Sequence, residues 1–276
     1  MNNKGDEVTD EHVEDVLNDI MEVYGYDFSG YSRASLRRRI VRIYILDDFS
    51  NFAAFRFQLR SDLTYFARFL EEITVNVTEM FRDPDFYHVL RSRVLPVLGT
   101  YPFIRIWIAG CSTGEEAYSM AIILKELNLL HKSLIYATDI NEKVVGKAAK
   151  AYFPLQKMQT YTENYLKAGG QKDFSDYYTA NYNLAKFDNK LKQKIIFSTH
   201  NLVTENSFNQ FQLILCRNVL IYFERNLQIK VLELFNNSLE NLGYIGLGSK
   251  ESLEYSSVSN KYERLTGAKI WRKIRE

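Results

Sequence analysis

Two glycines and two acids give this chain its most chemical stretch, Ala109-Gly110-Cys111-Ser112-Thr113-Gly114-Glu115-Glu116. Gly110 and Gly114 allow backbone to close on a ligand, and a helix that begins at Glu115 presents an electropositive N-terminus. A pyrophosphate is a poor occupant, because two glutamates in the first turn would repel it. A ligand with a ribose and a cationic or neutral tail fits better. Asp139 ends the next apolar run, and parallel βαβ topology sets that end beside the glycine loop. A carboxylate there can accept hydrogen bonds from both ribose hydroxyls. The spacing Gly-x-x-x-Gly is not the dinucleotide fingerprint Gly-x-Gly-x-x-Gly, and the interval from Gly110 to Asp139 is longer than that fingerprint expects. The pattern points away from NAD and ATP and towards S-adenosylmethionine. Plainer roles stay open beside it. Asp139 can cap the helix that follows, and Glu115 and Glu116 can serve the helix dipole, worth about 0.3–1 kcal/mol each.

Other chemistries find little support. His12, His88, His131 and His200 are scattered without ligand spacing, so no metal is expected, and no Ser/His/Asp or Cys/His set is evident. The two cysteines, Cys111 and Cys216, each close an apolar run. In a chain of 276 residues they form no disulfide framework, which fits a reducing cytosol. Cys216 has no base beside it and reads as small, buried and inert. A formal net charge of +1 supplies no global attraction to nucleic acid or membrane. The N-terminus is acidic and polar, and no run of 18 apolar residues occurs, so a cytoplasmic protein without membrane insertion is expected.

The elements that must position these residues follow from periodicity. Residues 104–108 and 134–139 are apolar runs of strand length, and 115–127 has a helical apolar period. A helix over 142–152, strands at 194–198 and 211–216, and a long helix over 226–242 stopped by Gly243 continue the alternation. Strand-like runs at 244–247 and 269–273 close the chain. Alternating strands and helices argue a parallel sheet covered on both faces, ended by an antiparallel hairpin. Residues 153–194 are dense in aromatics, and 176–187 alternates as short inserted antiparallel strands do. A further helix is expected over 89–98, with its stop at Gly99.

Upstream, four helices are expected, at about 10–23, 33–46, 50–59 and 62–73. Val13, Val16, Leu17, Ile20 and Met21 line the first; Leu36, Ile40 and Ile43 line the second. Residues 1–76 read as a helical domain, 77–84 as a linker, and 85–276 as the α/β domain with an insert near 153–194. Charge is uneven: residues 1–30 hold one Lys against nine acids, and residues 31–68 hold eight Arg against three Asp. Arg33, Arg37, Arg38, Arg39 and Arg42 crowd the polar side of the second helix, where like charges four apart cost stability. They read either as a solvated face paired with the acidic first helix or as a docking surface for an acidic partner.

Four stretches together resemble the CheR-type chemotaxis-receptor glutamate O-methyltransferases. They are Ile73-Thr74-Val75-Asn76-Val77-Thr78-Glu79-Met80-Phe81-Arg82, Ala109 to Ser119, Ala137-Thr138-Asp139-Ile140, and Cys216-Arg217-Asn218-Val219-Leu220-Ile221-Tyr222-Phe223. They stand in the family's order and spacing, and the resemblance covers residues 10–275. Met80 stands where an aromatic is usual and Ala117 where proline is usual. The resemblance implies a helical N-terminal domain, a Rossmann-like methyltransferase domain and a small inserted antiparallel β-subdomain. It implies S-adenosylmethionine as methyl donor, S-adenosylhomocysteine as product, and glutamates of the receptors' cytoplasmic helical bundle as acceptors. The cofactor contacts it implies are Asn76, Thr78, Arg82, Glu116, Asp139, Asn201, Leu202, Arg217 and Asn218. It sets Arg82 and Tyr222 close to the reacting methyl, and it turns the arginine face into a surface for the receptor's acidic helices.

That reaction asks little of acid–base machinery. A carboxylate is already an anion at neutral pH, so positioning and exclusion of water suffice. Arg82 can meet the cofactor carboxylate, the incoming glutamate, or a structural acid. Rival readings are a methyltransferase fold acting on another substrate, and a non-catalytic signalling partner that binds cofactor or product.

Overall fold

The computed structural model describes residues 8–275, which form two compact units. One runs to Asn76 and also takes Tyr222–Gln228; the other holds Val77–Ile221 and Ile229–Glu276.

Four helices build the first unit: α1 (Asp10–Tyr24), α2 (Arg33–Leu46), α3 (Phe52–Ser61) and α4 (Leu63–Ile73). Thr9 caps α1 by accepting the His12 N–H, and Gly25 ends it in the left-handed region at φ 73°. Val13, Val16, Leu17 and Ile20 are buried as their spacing requires, but Met21 is 51% exposed. The buried place beside them goes to Asp19, whose carboxylate takes Arg56 and Arg60 of α3 at 2.6 Å each. Burial opposes its charge, yet the two guanidiniums hold its pKa below the ordinary range.

The second unit opens with α5 (Pro84–Val89), a π turn at Leu90–Val94 and α6 (Leu95–Leu98). The single regular helix expected over 89–98 is therefore interrupted. Pro96 has no N–H to donate, and its ring crowds the carbonyl four residues back, so the preceding turn widens. Then follow β1 (Ile104–Ala109), α7 (Glu115–Glu126), β2 (Ser133–Asp139), α8 (Glu142–Lys150), β3 (Tyr152–Pro154), α9 (Met158–Lys167), β4 (Tyr178–Asn181), β5 (Leu184–Phe187) and α10 (Asn189–Lys192). The chain ends with β6 (Ile195–Thr199), β7 (Phe211–Cys216), α11 (Arg225–Ser238), β8 (Leu239–Leu247), β9 (Tyr262–Arg264) and β10 (Ile270–Lys273).

Seven strands make one sheet in the order β6-β2-β1-β7-β8-β10-β9. The first five run parallel, and β10 and β9 are antiparallel. Strand order turns back between β1 and β7, which creates a crevice at their carboxyl ends, the place where open α/β sheets bind ligands. One further expectation needs correction, and the expected inserted strands are present. The long helix stops at Ser238, not Leu242. There Leu239 pairs with Phe211, residues 240–243 bulge out of the ladder, and Lys273 Nζ takes the Asn236 and Leu239 carbonyls at 2.9 and 3.0 Å. The insert is richer than its alternation suggested: β3, β5 and β4 form a three-stranded antiparallel sheet, and α9 lies beside it in sequence.

This insert explains why α7 is buried on every side, from Glu115 to Leu124. Tyr118 packs edge-on against Phe153 and beside Phe187, while Ala117, Met120 and Ala121 join the main core. A helix apolar all round needs cover on both faces. Its last turn is pinned by a buried carboxylate. Glu126 accepts the hydroxyls of Tyr165 and Tyr177 on one oxygen and pairs with Arg91 of the π turn on the other. Burial pushes Glu126 up, but these partners outweigh it and hold its pKa below the ordinary carboxylate range. A depressed pKa contributes stability that is present above the unfolded value and is lost as pH falls through the folded value. Glu126→Ala should therefore cost about 3–5 kcal/mol by stranding Arg91. Urea unfolding of Glu126→Gln should differ most from the parent at neutral pH and converge with it on acidification.

Candidate active site

The carboxyl ends of four strands stand level with one another. Ala109 of β1 is in register with Thr138 of β2, Asp139 with Thr199 of β6, and Ile108 with Leu215 of β7. The loops that leave these ends carry most of the candidate residues. Gly110 is obligatory in its loop: its φ is 79°, and an added Cβ would lie 2.3 Å from Val219 Cγ2. Gly114 is held likewise, at φ 94° with Ala148 Cβ 2.8 Å from the position a Cβ would take.

Asp139 is buried and fixed by backbone. Its Oδ2 accepts the Ser112 N–H at 2.8 Å, and its Oδ1 accepts the Asn141 N–H at 3.1 Å. The cap of α8 is Asn141, which accepts the Lys143 N–H. Burial raises the Asp139 pKa, against the pull of its backbone donors. The two residues whose N–H groups it accepts each carry a further buried polar atom, Ser112 Oγ and Asn141 Nδ2, and neither atom has a hydrogen-bond partner among the described residues. Orphaned donors and acceptors beside a buried carboxylate are costly unless a polar ligand completes them. These residues fit a ribose diol. On the neighbouring strand end, the His200 N–H donates to the Asp139 carbonyl at 3.0 Å. Asn201 and Leu202, both half-buried, follow directly. Asn201 Oδ1 accepts the Val203 N–H.

Across the switch point, Arg217 is drawn into the interior. Its Nη1 pairs with Glu116 Oε1 at 2.9 Å and lies near the Tyr87 hydroxyl; its Nη2 donates to the Arg82 carbonyl at 2.8 Å and pairs with Asp83 at 2.9 Å. The guanidinium also stacks 4.2 Å from the Phe86 ring centroid. Burial disfavours its charge, but Glu116, Tyr87 and Asp83 hold its pKa above the ordinary range. Arg82 itself is half-buried. Its guanidinium reaches only the Val77 carbonyl, at 3.4 Å, and forms no ion pair among the described residues. Thr78 is half-buried in the same segment, and Asn218 stands in the left-handed region at φ 60°.

Asn76 and Tyr222 belong to the helical unit. The Asn76 amide donates to the Glu71 carbonyl and to Thr74 Oγ1 at the end of α4. Tyr222 is half-buried, its carbonyl accepts the Ser32 N–H, and the Arg39 guanidinium lies 5.5 Å from its ring centroid. The arginine face of α2 is thus divided. Arg33 pairs with Glu14 and Arg37 with Asp10, as the plainer reading expects. Arg39 turns towards Tyr222 and the Glu72 carbonyl. Arg38 and Arg42 are exposed and form no ion pair among the described residues. Both cysteines are buried, and burial raises both thiol pKa values, so neither is a nucleophile.

Two residues escaped the sequence reading. Ser119 Oγ accepts the Phe81 N–H, and Glu251 accepts four backbone N–H groups in the loops after β7 and β8. Neither has a signal in residue type or spacing.

Comparison with known proteins decides the family. The all-alpha domain of CheR methyltransferases matches residues 11–74, and their SAM-binding domain matches residues 76–269. The chain belongs to the CheR methyltransferase family. The Cher3 protein of Pseudomonas putida is 44% identical over 257 residues, 93% of this chain and 94% of that one. Chemotaxis protein methyltransferases of Listeria innocua and Salmonella typhimurium are 28% and 27% identical, over 83% and 89% of this chain and 85% of each relative. The fold is that of a Rossmann-like methyltransferase with a helical N-terminal domain, and the cofactor of this CheR chain is S-adenosylmethionine. No helix among the described residues is long and apolar enough to cross a membrane.

A raised pKa means that Asp139 takes up its proton at a higher pH than an ordinary aspartate, and the protonated acid accepts hydroxyls poorly. Calorimetry with S-adenosylhomocysteine should show affinity falling on acidification from neutral pH. Asp139→Ala should weaken binding about 100-fold at neutral pH, the worth of two hydrogen bonds to a charged acceptor. Asp139→Asn should bind weakly with little pH dependence. Parental affinity in Asp139→Ala would remove this carboxylate from the site.

Proposed function

We propose that this CheR-family chain is a protein-glutamate O-methyltransferase that forms glutamyl methyl esters on the cytoplasmic helical bundle of chemotaxis receptors. The observation that carries the reading is Asp139 at the carboxyl end of β2, with Ser112 Oγ and Asn141 Nδ2 beside it and without partners among the described residues, in a chain of this family. S-adenosylmethionine, when bound, supplies an electrophilic methyl on a sulfonium, which a carboxylate can accept without a general base. The residues that would hold it are Asn76, Thr78, Arg82, Glu116, Asp139, Asn201, Leu202, Arg217 and Asn218.

Their roles follow from charge and burial. Asp139 grips the ribose. Glu116 and Arg217 neutralise one another, so as a pair they shape the crevice without adding net charge to it. Arg82, which pairs with no acid among the described residues, suits a carboxylate, either the cofactor's or the incoming glutamate. Tyr222 can donate its hydroxyl proton to the acceptor carboxylate and orient the other oxygen. Arg38 and Arg42, one helical turn apart and unpaired among the described residues, offer the acidic receptor helices an electrostatic dock.

A labelled-methyl assay on receptor fragments, read as base-labile methanol, tests the ester directly. Binding of S-adenosylhomocysteine without such transfer would turn the reading to another substrate or a non-catalytic partner. Reversing both charges (Arg38→Glu with Arg42→Glu) should slow receptor methylation about tenfold or more at low salt, with cofactor affinity unchanged. Methylation at the parental rate in that variant would exclude docking through this face.

A further inference from the structure

Glu251 is 5% exposed, and it forms no ion pair among the described residues. Among the described residues its carboxylate takes hydrogen bonds from backbone N–H groups alone. Oε2 accepts the N–H of Gly248 at 2.6 Å and of Asn218 at 3.0 Å; Oε1 accepts the N–H of Val219 at 2.9 Å and of Ile221 at 3.3 Å. The Glu251 N–H in turn donates to the Gly248 carbonyl at 3.0 Å. Gly248 is required here, because a Cβ would meet Glu251 Oε2 at 2.7 Å and the Asn218 nitrogen at 2.8 Å. Four converging N–H groups form an anion site of the kind that backbone nests make, and this chain fills it with its own carboxylate.

Such a carboxylate is expensive as mere packing. Burial raises its pKa, and the four N–H donors pull the other way. What it holds is the loop that carries Arg217 and Asn218 and runs into Tyr222. Asn218 stands in the left-handed region at φ 60°. Val219 is the residue that packs against Gly110 of the glycine loop.

We propose that Glu251 is a positioning residue for the methyl-transfer site: it fixes the 217–221 loop, and through it the residues read above as cofactor-holding and methyl-facing. This rests on the reading of that site under Proposed function. Glu251 touches neither cofactor nor acceptor; it acts through the loop.

Glu251→Gln tests this, because it keeps the shape, removes the charge and turns an NH2 group towards backbone donors. Amide hydrogen exchange should speed up about tenfold or more at Asn218, Val219, Ile221 and Gly248, while β1 and β7 keep parental protection. Kd for S-adenosylhomocysteine should rise, and kcat should fall about tenfold or more, with the unfolding midpoint little changed. Glu251→Asp retains the charge on a shorter stem and should recover part of both losses; it serves in place of Glu251→Gln if that variant fails to fold. Unchanged exchange in the loop, or faster exchange with parental Kd and kcat, overturns the proposal. A uniform rise in exchange across the sheet also overturns it, as that marks a general stability role. Failure of the parent itself to bind S-adenosylhomocysteine would count against the site reading, and the exchange result would still stand or fall alone.

Discussion

Arg217 is the interaction on which the arrangement of loops depends. Its guanidinium lies in the interior with Glu116 at 2.9 Å, and it also holds Asp83 and the Arg82 carbonyl. At an effective dielectric near 20, an ion pair at that distance gains about 6 kcal/mol before desolvation is subtracted. Burying both charges consumes most or all of that gain, so the pair adds little net stability over an apolar replacement. Its distinctive consequence is geometric. One planar group with several fixed donors ties the first turn of α7, the segment before α5 and the loop after β7 into one register. An apolar cluster could fill the same volume, but it could not specify three backbone positions.

The same logic accounts for four left-handed positions in the loops that carry the candidate residues. Phe81, Asp83, Ser112 and Asn218 are all left-handed without being glycine, at φ 54°, 57°, 50° and 60°. Each is held by a buried polar side chain from another part of the chain. Ser119 takes the Phe81 N–H, Arg217 pairs with Asp83, Asp139 takes the Ser112 N–H, and Glu251 takes the Asn218 N–H. Strained conformations persist only where surrounding structure over-determines them. Two of them flank Arg82, so its backbone is fixed while its guanidinium stays free of any ion pair among the described residues. A fixed backbone with an uncommitted charge is what a carboxylate-binding arginine needs.

How far the sequence was legible follows from which interactions are local. Strands β1, β2 and β7 are buried on both faces, so they stand out as short apolar runs. Gly110 and Gly114 announce the loop because no side chain fits there, and α2 was readable to its ends. By contrast, 239–242 carries on the helical period of α11, and only the pairing of Leu239 with Phe211 diverts it. Helix α9 is rich in Tyr, Asn, Glu and Lys and has no continuous apolar face, so its burial depends on partners distant in sequence. Resemblance to a family supplied Arg82, Arg217 and Tyr222, which residue type alone would not separate from other arginines and tyrosines. Glu251 stood in a Gly-Ser-Lys-Glu-Ser stretch that reads as a solvated turn. Its burial comes from donors on another loop, which leave no trace in local composition.

The insert shows how such distant contacts bear on the site. Tyr161 and Asn164 are three residues apart on α9 and so share a face. The Tyr161 hydroxyl donates to Glu115 Oε1 at 3.2 Å, and Asn164 Nδ2 donates to the Met80 carbonyl at 3.2 Å. Glu115 begins α7 immediately after the glycine loop, and Met80 lies two residues before Arg82. One short helix of the insert therefore bonds to both segments from which the cofactor site is read. Glu115 is buried, and burial pushes its pKa up, with Thr113 and Tyr161 among the groups that oppose this. Without the Tyr161 hydroxyl, Oε1 would lose a side-chain donor in the interior, and the first turn of α7 would have reason to open towards water. The insert is thus more than an appendage that covers an apolar helix. It completes the polar shell of the loop on which Asp139 and Ser112 meet.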